Sequence, residues 1–237
     1  MALDLNYVPT PLVDTTTLTE DQWLAWRKKG IGGSDVAAAL GISPYRTARE
    51  LYYDKIGIEP VVEGRDMSIT FEIGHLLENV VAEIFAKKTG MTVYEDHMMY
   101  QHPLFPFMIA DVDRFIRQPD GKKAILECKT AHYDVQYLWA NGAVPRHYEL
   151  QVRHYMAVMN IDVAYIACLF SNNENDYRVI IARIPREGRT SFLRVIDLLP
   201  ALMAYAGYTD YDEYCRNFLL DAQDCLVTQQ WKGNTPV

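Results

Sequence analysis

The chain has 237 residues, nearly half of them hydrophobic and 23% charged, which is the make-up of a globular domain with a sizeable core. Its net charge of −8 excludes phosphate binding by overall charge alone, because that affinity comes from Lys and Arg. It leaves room for a locally acidic cation site beside basic clusters at Arg27-Lys28-Lys29, Arg46/Arg49, Lys87-Lys88 and Lys122-Lys123.

Residues 1–17 are rich in Thr and Pro and read as an extended arm without the basic-then-apolar pattern of a signal peptide. No apolar run is long enough to span a bilayer, so a cytoplasmic location is expected, that of the host if the chain is phage- or prophage-encoded. Thr19-Glu20-Asp21-Gln22 is a capping box opening a helix through Trp23 and Trp26 to Gly30. Ser34 is expected to cap a short helix over 35–40, closed by Gly41. A third helix, 48–56, follows Pro44 and ends at Gly57, and 59–66 reads as a loop. The longest helix spans 68–89, where Ile73, Leu76, Leu77, Val80, Val81 and Ile84 recur at helical spacing and Gly90 supplies the stop.

After Gly90 the period changes to two. Strands are expected at 92–95, 98–100, 108–112, 114–117 and 124–129, with Pro119-Asp120-Gly121 as a hairpin turn. Helices at 134–141 and 147–159, a strand pair at 164–170 and 177–184, and a helical portion after Pro185 complete the pattern. The order predicts an α/β (α+β) fold with one mixed central sheet flanked by helices. The four cysteines, Cys128, Cys168, Cys215 and Cys225, form no CxxC pair and read as reduced, mostly buried thiols.

Asp113 and the stretch Glu127-Cys128-Lys129 carry the chemistry. The two acids fall on adjacent strands of the expected hairpin. Glu127 and Lys129 are two apart and share one face, while Cys128 points the other way. Two carboxylates, a main-chain carbonyl and an ammonium group suit a hard divalent cation and phosphodiester hydrolysis. The same residues also fit an ion pair on a strand surface. Glu78, one turn after Gly74 at the border of the long helix's apolar stripe, reads either as a solvated flank or as a third carboxylate. Gln151 reads as a surface amide or as a site residue. Ser34 behind two glycines, with Arg27 supplying a planar fork, suits a phosphate or is a simple helix cap.

These segments occur in an order that resembles the YqaJ/lambda-exonuclease group of the restriction-endonuclease-like nucleases. The resemblance rests on Trp23-x-x-Trp26-Arg27-x-x-Gly30-Ile31-Gly32-Gly33-Ser34-Asp35, Gly74-x-x-x-Glu78, Asp111-Val112-Asp113, Leu126-Glu127-Cys128-Lys129 and Tyr148-x-x-Gln151-Val152-x-x-Tyr155. It runs from about Gln22 to Phe170. It implies a nuclease core at 19–184 between the arm at 1–18 and a helical extension at 185–237. It also implies one or two Mg2+ (or Mn2+) ions held by Glu78, Asp113, Glu127 and the Cys128 carbonyl, with Lys129 and Gln151 positioning water and phosphate. Arg27 and Ser34, with Arg46 and Arg114 as further basic contacts, would hold a 5′-phosphate and the adjoining DNA. The family usually has Gly after the first strand acid. Arg114 stands there in this chain, altering the turn or adding a phosphate contact. The implied activity is 5′ to 3′ resection of double-stranded DNA ends by a ring-shaped homotrimer that hands a 3′ single strand to an annealing protein. A structure-specific or Cas4-like endonuclease and a non-catalytic DNA-end-binding protein are the competing readings; the Cas4-like version would carry clustered cysteines, which are absent here.

Overall fold

The computed structural model describes residues 6–58, 68–171 and 178–186. The expected loop at 59–66 and all of the C-terminal extension beyond Arg186 lie outside them, as does Tyr177. The order of elements is β1 (Thr10–Asp14), α1 (Glu20–Arg27), α2 (Gly33–Ala39), α3 (Ala48–Lys55), α4 (Ser68–Thr89), β2 (Thr92–Tyr94), β3 (Met98–Gln101), β4 (Ile109–Ala110), β5 (Arg114–Arg117) and β6 (Lys123–His132). A 3-10 helix (Tyr133–Gly142), α5 (Arg146–Met159), β7 (Val163–Ser171) and β8 (Arg178–Pro185) follow.

The expected mixed sheet is present, in the order β2-β5-β6-β7-β8. β6 and β7 run parallel and every other pair is antiparallel. The parallel pair needs a crossover, and the 3-10 helix and α5 supply it. The β5–β6 hairpin turns at Gly121, whose positive φ of 81° suits glycine.

β6 is buried on both faces, and its period of two divides the interior. Ile125 joins the layer formed by α2, α5 and the β7 residues Ala164, Ile166 and Cys168. Leu126 and Cys128 face α4 through Val81, Ala82 and Phe85. A strand with helices on both faces can carry side-chain chemistry only at its end or in a gap between helices. Glu127 and Lys129, in phase with Ile125, lie on the α5 side, just past Leu126, where the pairing of β6 with β5 ends.

Several expectations are corrected. The arm is a paired strand: β1 joins β3 and β4 in a separate three-stranded antiparallel sheet. The expected strand at 108–112 shrinks to Ile109–Ala110. Its flanks are held instead by the Gly30–Ile31 turn, where Ile31 N donates to Phe107 O (2.7 Å) and Ile109 N to Ile31 O (3.0 Å). Gly30 is required there, because a Cβ would lie 2.6 Å from Phe107 O. The helix at 134–141 is 3-10, with Asn141 at a left-handed φ of 56°. Ser34 does not cap α2. The cap is Gly32, and the Asp35 carboxylate takes its N–H at 2.9 Å. On α4 the expected stripe is split: Val81 is buried, whereas Ile73, Leu76 and Val80 are exposed.

Candidate active site

Asp113 is set by the entry to β5 and by a backbone contact. It stands one residue before the strand, and its Oδ2 accepts the Cys128 N–H at 3.0 Å. That hydrogen bond crosses the β5–β6 hairpin and fixes the first acid beside Glu127-Cys128-Lys129. Glu127 is fully buried. Its Oε1 accepts from Lys129 Nζ and from Gln151 Nε2, each at 2.5 Å, so strand and helix α5 converge on one oxygen. Its other oxygen, Oε2, is buried with no partner. An unsatisfied buried carboxylate oxygen is costly and is the atom a divalent cation would satisfy.

The electrostatics agree. Burial, and next to it the charge of Asp113, pushes the Glu127 carboxyl up to about 8. Burial and Asp113 also raise Glu78 above the usual carboxylate range. For Lys129, burial opposes the charge, but Glu127 and Asp113 outweigh it and hold the ammonium above its ordinary range. Burial keeps the Cys128 thiol protonated, which leaves its carbonyl as the only hard donor there. Two acids raised by burial and by a neighbouring carboxylate, gathered around a single ammonium, make a site short of positive charge. Among the described residues no three of His, Cys, Asp and Glu form a closed metal-holding group. Lys129, Gln151 and the Cys128 N–H hold Glu127 and Asp113 instead.

Glu78, Asp113, Glu127, Lys129 and Gln151 line one cleft of about 1470 Å³. Arg27, Gly33, Ser34, Arg114 and Tyr155 share its walls. Thus all five expected catalytic residues meet, although Glu78 comes from the opposite helical layer. Arg27 donates to Ser34 Oγ, its guanidinium lies 4.8 Å from the Trp23 ring, and it stands 3.8 Å from Asp35. Arg46 is not in the cleft wall; it is paired with Asp35 and Asp54. Arg114 is engaged with Glu95 (2.9 Å), with Asn79 and with the Asp113 carbonyl.

Sequence reasoning missed Asp35, Lys55, Asp111, Trp23 and Tyr155 as site-forming residues. Asp35 stands in the quoted Gly32-Gly33-Ser34-Asp35 motif, where a carboxylate at the third helical position passes for routine capping. Asp111 accepts from the Trp23 indole at 2.6 Å and lines the cleft; its place two residues before Asp113, in phase along an extended chain, was the available signal.

An acid before one strand, Glu-x-Lys on the next and helices on both faces of a mixed sheet define a restriction-endonuclease-like fold. The same fold occurs in an alkaline exonuclease (LHK-Exo) from Laribacter hongkongensis, at a TM-score of 0.63 and 18% identity over 78% of this chain and 92% of that one. The structure of LHK-Exo in complex with dAMP gives 0.63 and 17% over 87% and 99%. A phage-related exonuclease from Haemophilus somnus 129PT gives 0.51 and 16% over 75% and 93%. Residues 22–162 match the YqaJ-like viral recombinase domain, and the chain belongs to that family. It is 38% identical over 165 residues to the uncharacterized protein YqaJ of Bacillus subtilis (strain 168). That match covers 69% of this chain and 50% of the relative, so the chain spans about half the relative's length. No helix among the described residues is long and apolar enough to cross a membrane.

Proposed function

We propose that the chain is a divalent-metal-dependent deoxyribonuclease that degrades linear duplex DNA from a 5′-phosphorylated end, in the 5′ to 3′ direction. The observation that carries this reading is Glu127: fully buried, pinned through one oxygen by Lys129 and Gln151, its other oxygen unpartnered. Glu78, Asp113, Glu127 and the Cys128 carbonyl would hold one or two Mg2+ or Mn2+ ions, an all-oxygen donor set suited to hard cations. When bound, such an ion polarises the phosphoryl oxygen and lowers the pKa of a coordinated water.

The chain's own groups do the rest. Lys129 keeps its proton and orients the attacking water or steadies the developing phosphate charge. Gln151 fixes the Glu127 carboxylate and offers an amide toward the scissile phosphate. Asp113 is oriented toward the cleft by the Cys128 N–H. At the far wall Arg27 and Ser34 take the terminal 5′-phosphate, with Arg46 behind them and Arg114 along the DNA path. The family resemblance supports a ring-shaped homotrimer and a single-strand annealing partner that receives the 3′ strand.

The test is digestion of linear, nicked and circular duplexes, with and without Mg2+. Loss of linear duplex only when Mg2+ is present, with covalently closed circles intact, is the expected result. Cleavage of closed circles would make the protein an endonuclease instead. Retention of every substrate would leave only end binding.

A further inference from the structure

Asp35 is almost wholly buried, yet it is not catalytic and not a simple helix cap. One oxygen lies on Arg46 and 3.8 Å from Arg27; the other takes Lys55 Nζ at 2.7 Å and the Gly32 N–H at 2.9 Å. Burial alone would raise its pKa, but Lys55, Arg27 and Arg46 together outweigh burial and hold it below the usual range. Three cations therefore meet one buried carboxylate; Arg46 also reaches Asp54 at 3.2 Å, whose charge acts on Lys55 as well, and Arg27 stands in the field of Asp111. Lys55, itself paired with Asp35, also donates to the Arg27 carbonyl at 2.8 Å, so the pair fixes the Arg27 backbone while its side chain stands 3.8 Å from Asp35. Trp23 closes the remaining side: its ring lies beneath the Arg27 guanidinium, and its indole N–H is tied to Asp111.

We infer that Asp35, with Lys55, is the positioning residue of the anion-binding wall of the cleft. It gathers Arg27 and Arg46 around one carboxylate and leaves the Arg27 fork, beside Ser34, facing the cleft to take a terminal phosphate monoester. A guanidinium has five donors in a fixed plane. The Asp35 contact at 3.8 Å is a weak pull on that plane and leaves most of the donors for a ligand. The ligand class is a phosphate monoester at a DNA end, so the inference rests on the proposed DNA-end reading but not on hydrolysis.

The test is equilibrium binding of two otherwise identical blunt duplexes, one with a 5′-phosphate and one with a 5′-hydroxyl, read by fluorescence anisotropy in Ca2+. The full chain is expected to prefer the phosphorylated end, and Asp35→Asn to lower that preference at least fivefold, with Asp35→Glu restoring part of it. Because Asp35→Asn strands Lys55, the double variant Asp35→Asn/Lys55→Met, which removes the buried pair together, is measured alongside. Loss of preference in a folded double variant supports the inference. An undiminished preference in either variant, or none in the parent chain, overturns it. A nuclease assay that fails while the binding preference behaves as expected would sink the hydrolytic reading and leave this one standing.

Discussion

Two carboxylates, Asp35 and Glu127, are equally cut off from water and live in opposite electrostatic worlds. Asp35 has three cations and a backbone N–H around it, and its pKa falls. Glu127 has one ammonium and one amide on a single oxygen, two acids nearby and a bare second oxygen, and its pKa rises to about 8. A buried charge is tolerated only when something compensates it. At Asp35 the protein supplies the compensation itself, so that carboxylate is finished structure. At Glu127 the compensation is incomplete, and the deficit sits at the wall of a cleft. The first holds its neighbours still, and the second keeps an unpartnered oxygen for the cation proposed above.

Removing the groups themselves should break the comparison most sharply. Glu127→Ala and Lys129→Ala are each expected to lower the digestion rate of linear duplex by about a thousandfold or more while circular dichroism stays native. Activity in both variants within tenfold of the parent would empty the site of its assigned chemistry. Stability should then separate the two carboxylates by sign. Asp35→Ala leaves Lys55 and Arg46 beside an empty space and should destabilise by about 3 to 5 kcal/mol. Glu127→Gln, measured without divalent ions, keeps the shape and deletes an ill-compensated charge, so it should unfold at the same or higher urea concentration. A matched loss in both would mean that Glu127 is as well compensated as Asp35.

How much of this was legible in the chain differs between the two places. Glu127, Lys129 and Cys128 were readable because a strand alternates strictly, so residues two apart share a face and the middle one is buried. Gln151 was not readable from its helix alone, where a surface amide fits as well; only the family resemblance singled it out. The Asp35 cluster was not readable either, because its cations come from α1, the α2–α3 loop and α3, and no local period records a meeting of three segments. The small sheet was hidden for a related reason: a two-residue strand such as β4 is too short to show alternation, and β1 pairs with residues far along the chain. On α4 the period located the helix but could not say which apolar residues the sheet would cover. The apolar positions span more of the helix surface than the sheet covers, so Ile73, Leu76 and Val80 face outward.

The pH dependence of folding should sharpen the contrast further. With Glu127 raised from 4.5 to about 8, the unfolded chain loses that proton near its ordinary value while the folded chain keeps it. The unfolded state then binds fewer protons, so stability falls as pH climbs between those values and levels off above them. The expected decline, on the order of a few kcal/mol, should disappear in Glu127→Gln. Asp35, depressed in the folded state, gives the reverse slope. Its contribution is complete above the unfolded value and is lost as acid titrates through the lower folded one. A flat urea midpoint from pH 5 to 8 in the parent chain without divalent ions would contradict the account of Glu127.

The smallest expected effect tests whether the two carboxylates are joined. Gly33 lies between Gly32, which donates to Asp35, and Ser34, and its missing side chain lets α2 press against α5. A Cβ there would lie 2.5 Å from the Tyr155 ring and 3.0 Å from Gln151 Cγ. The Tyr155 ring is buried and cannot swing away. Gly33→Ala should therefore push α5 outward and loosen the Gln151 grip on Glu127, costing about 1 to 3 kcal/mol. Because α2 itself needs no left-handed φ at Gly33, the Asp35 cluster should survive. The rate of duplex digestion is expected to fall by about ten- to a hundredfold, with the preference for a 5′-phosphate retained. If that preference vanished together with the rate, the carboxylates would be parts of one rigid unit joined through α2, and the division between finished structure and waiting site would have to be redrawn.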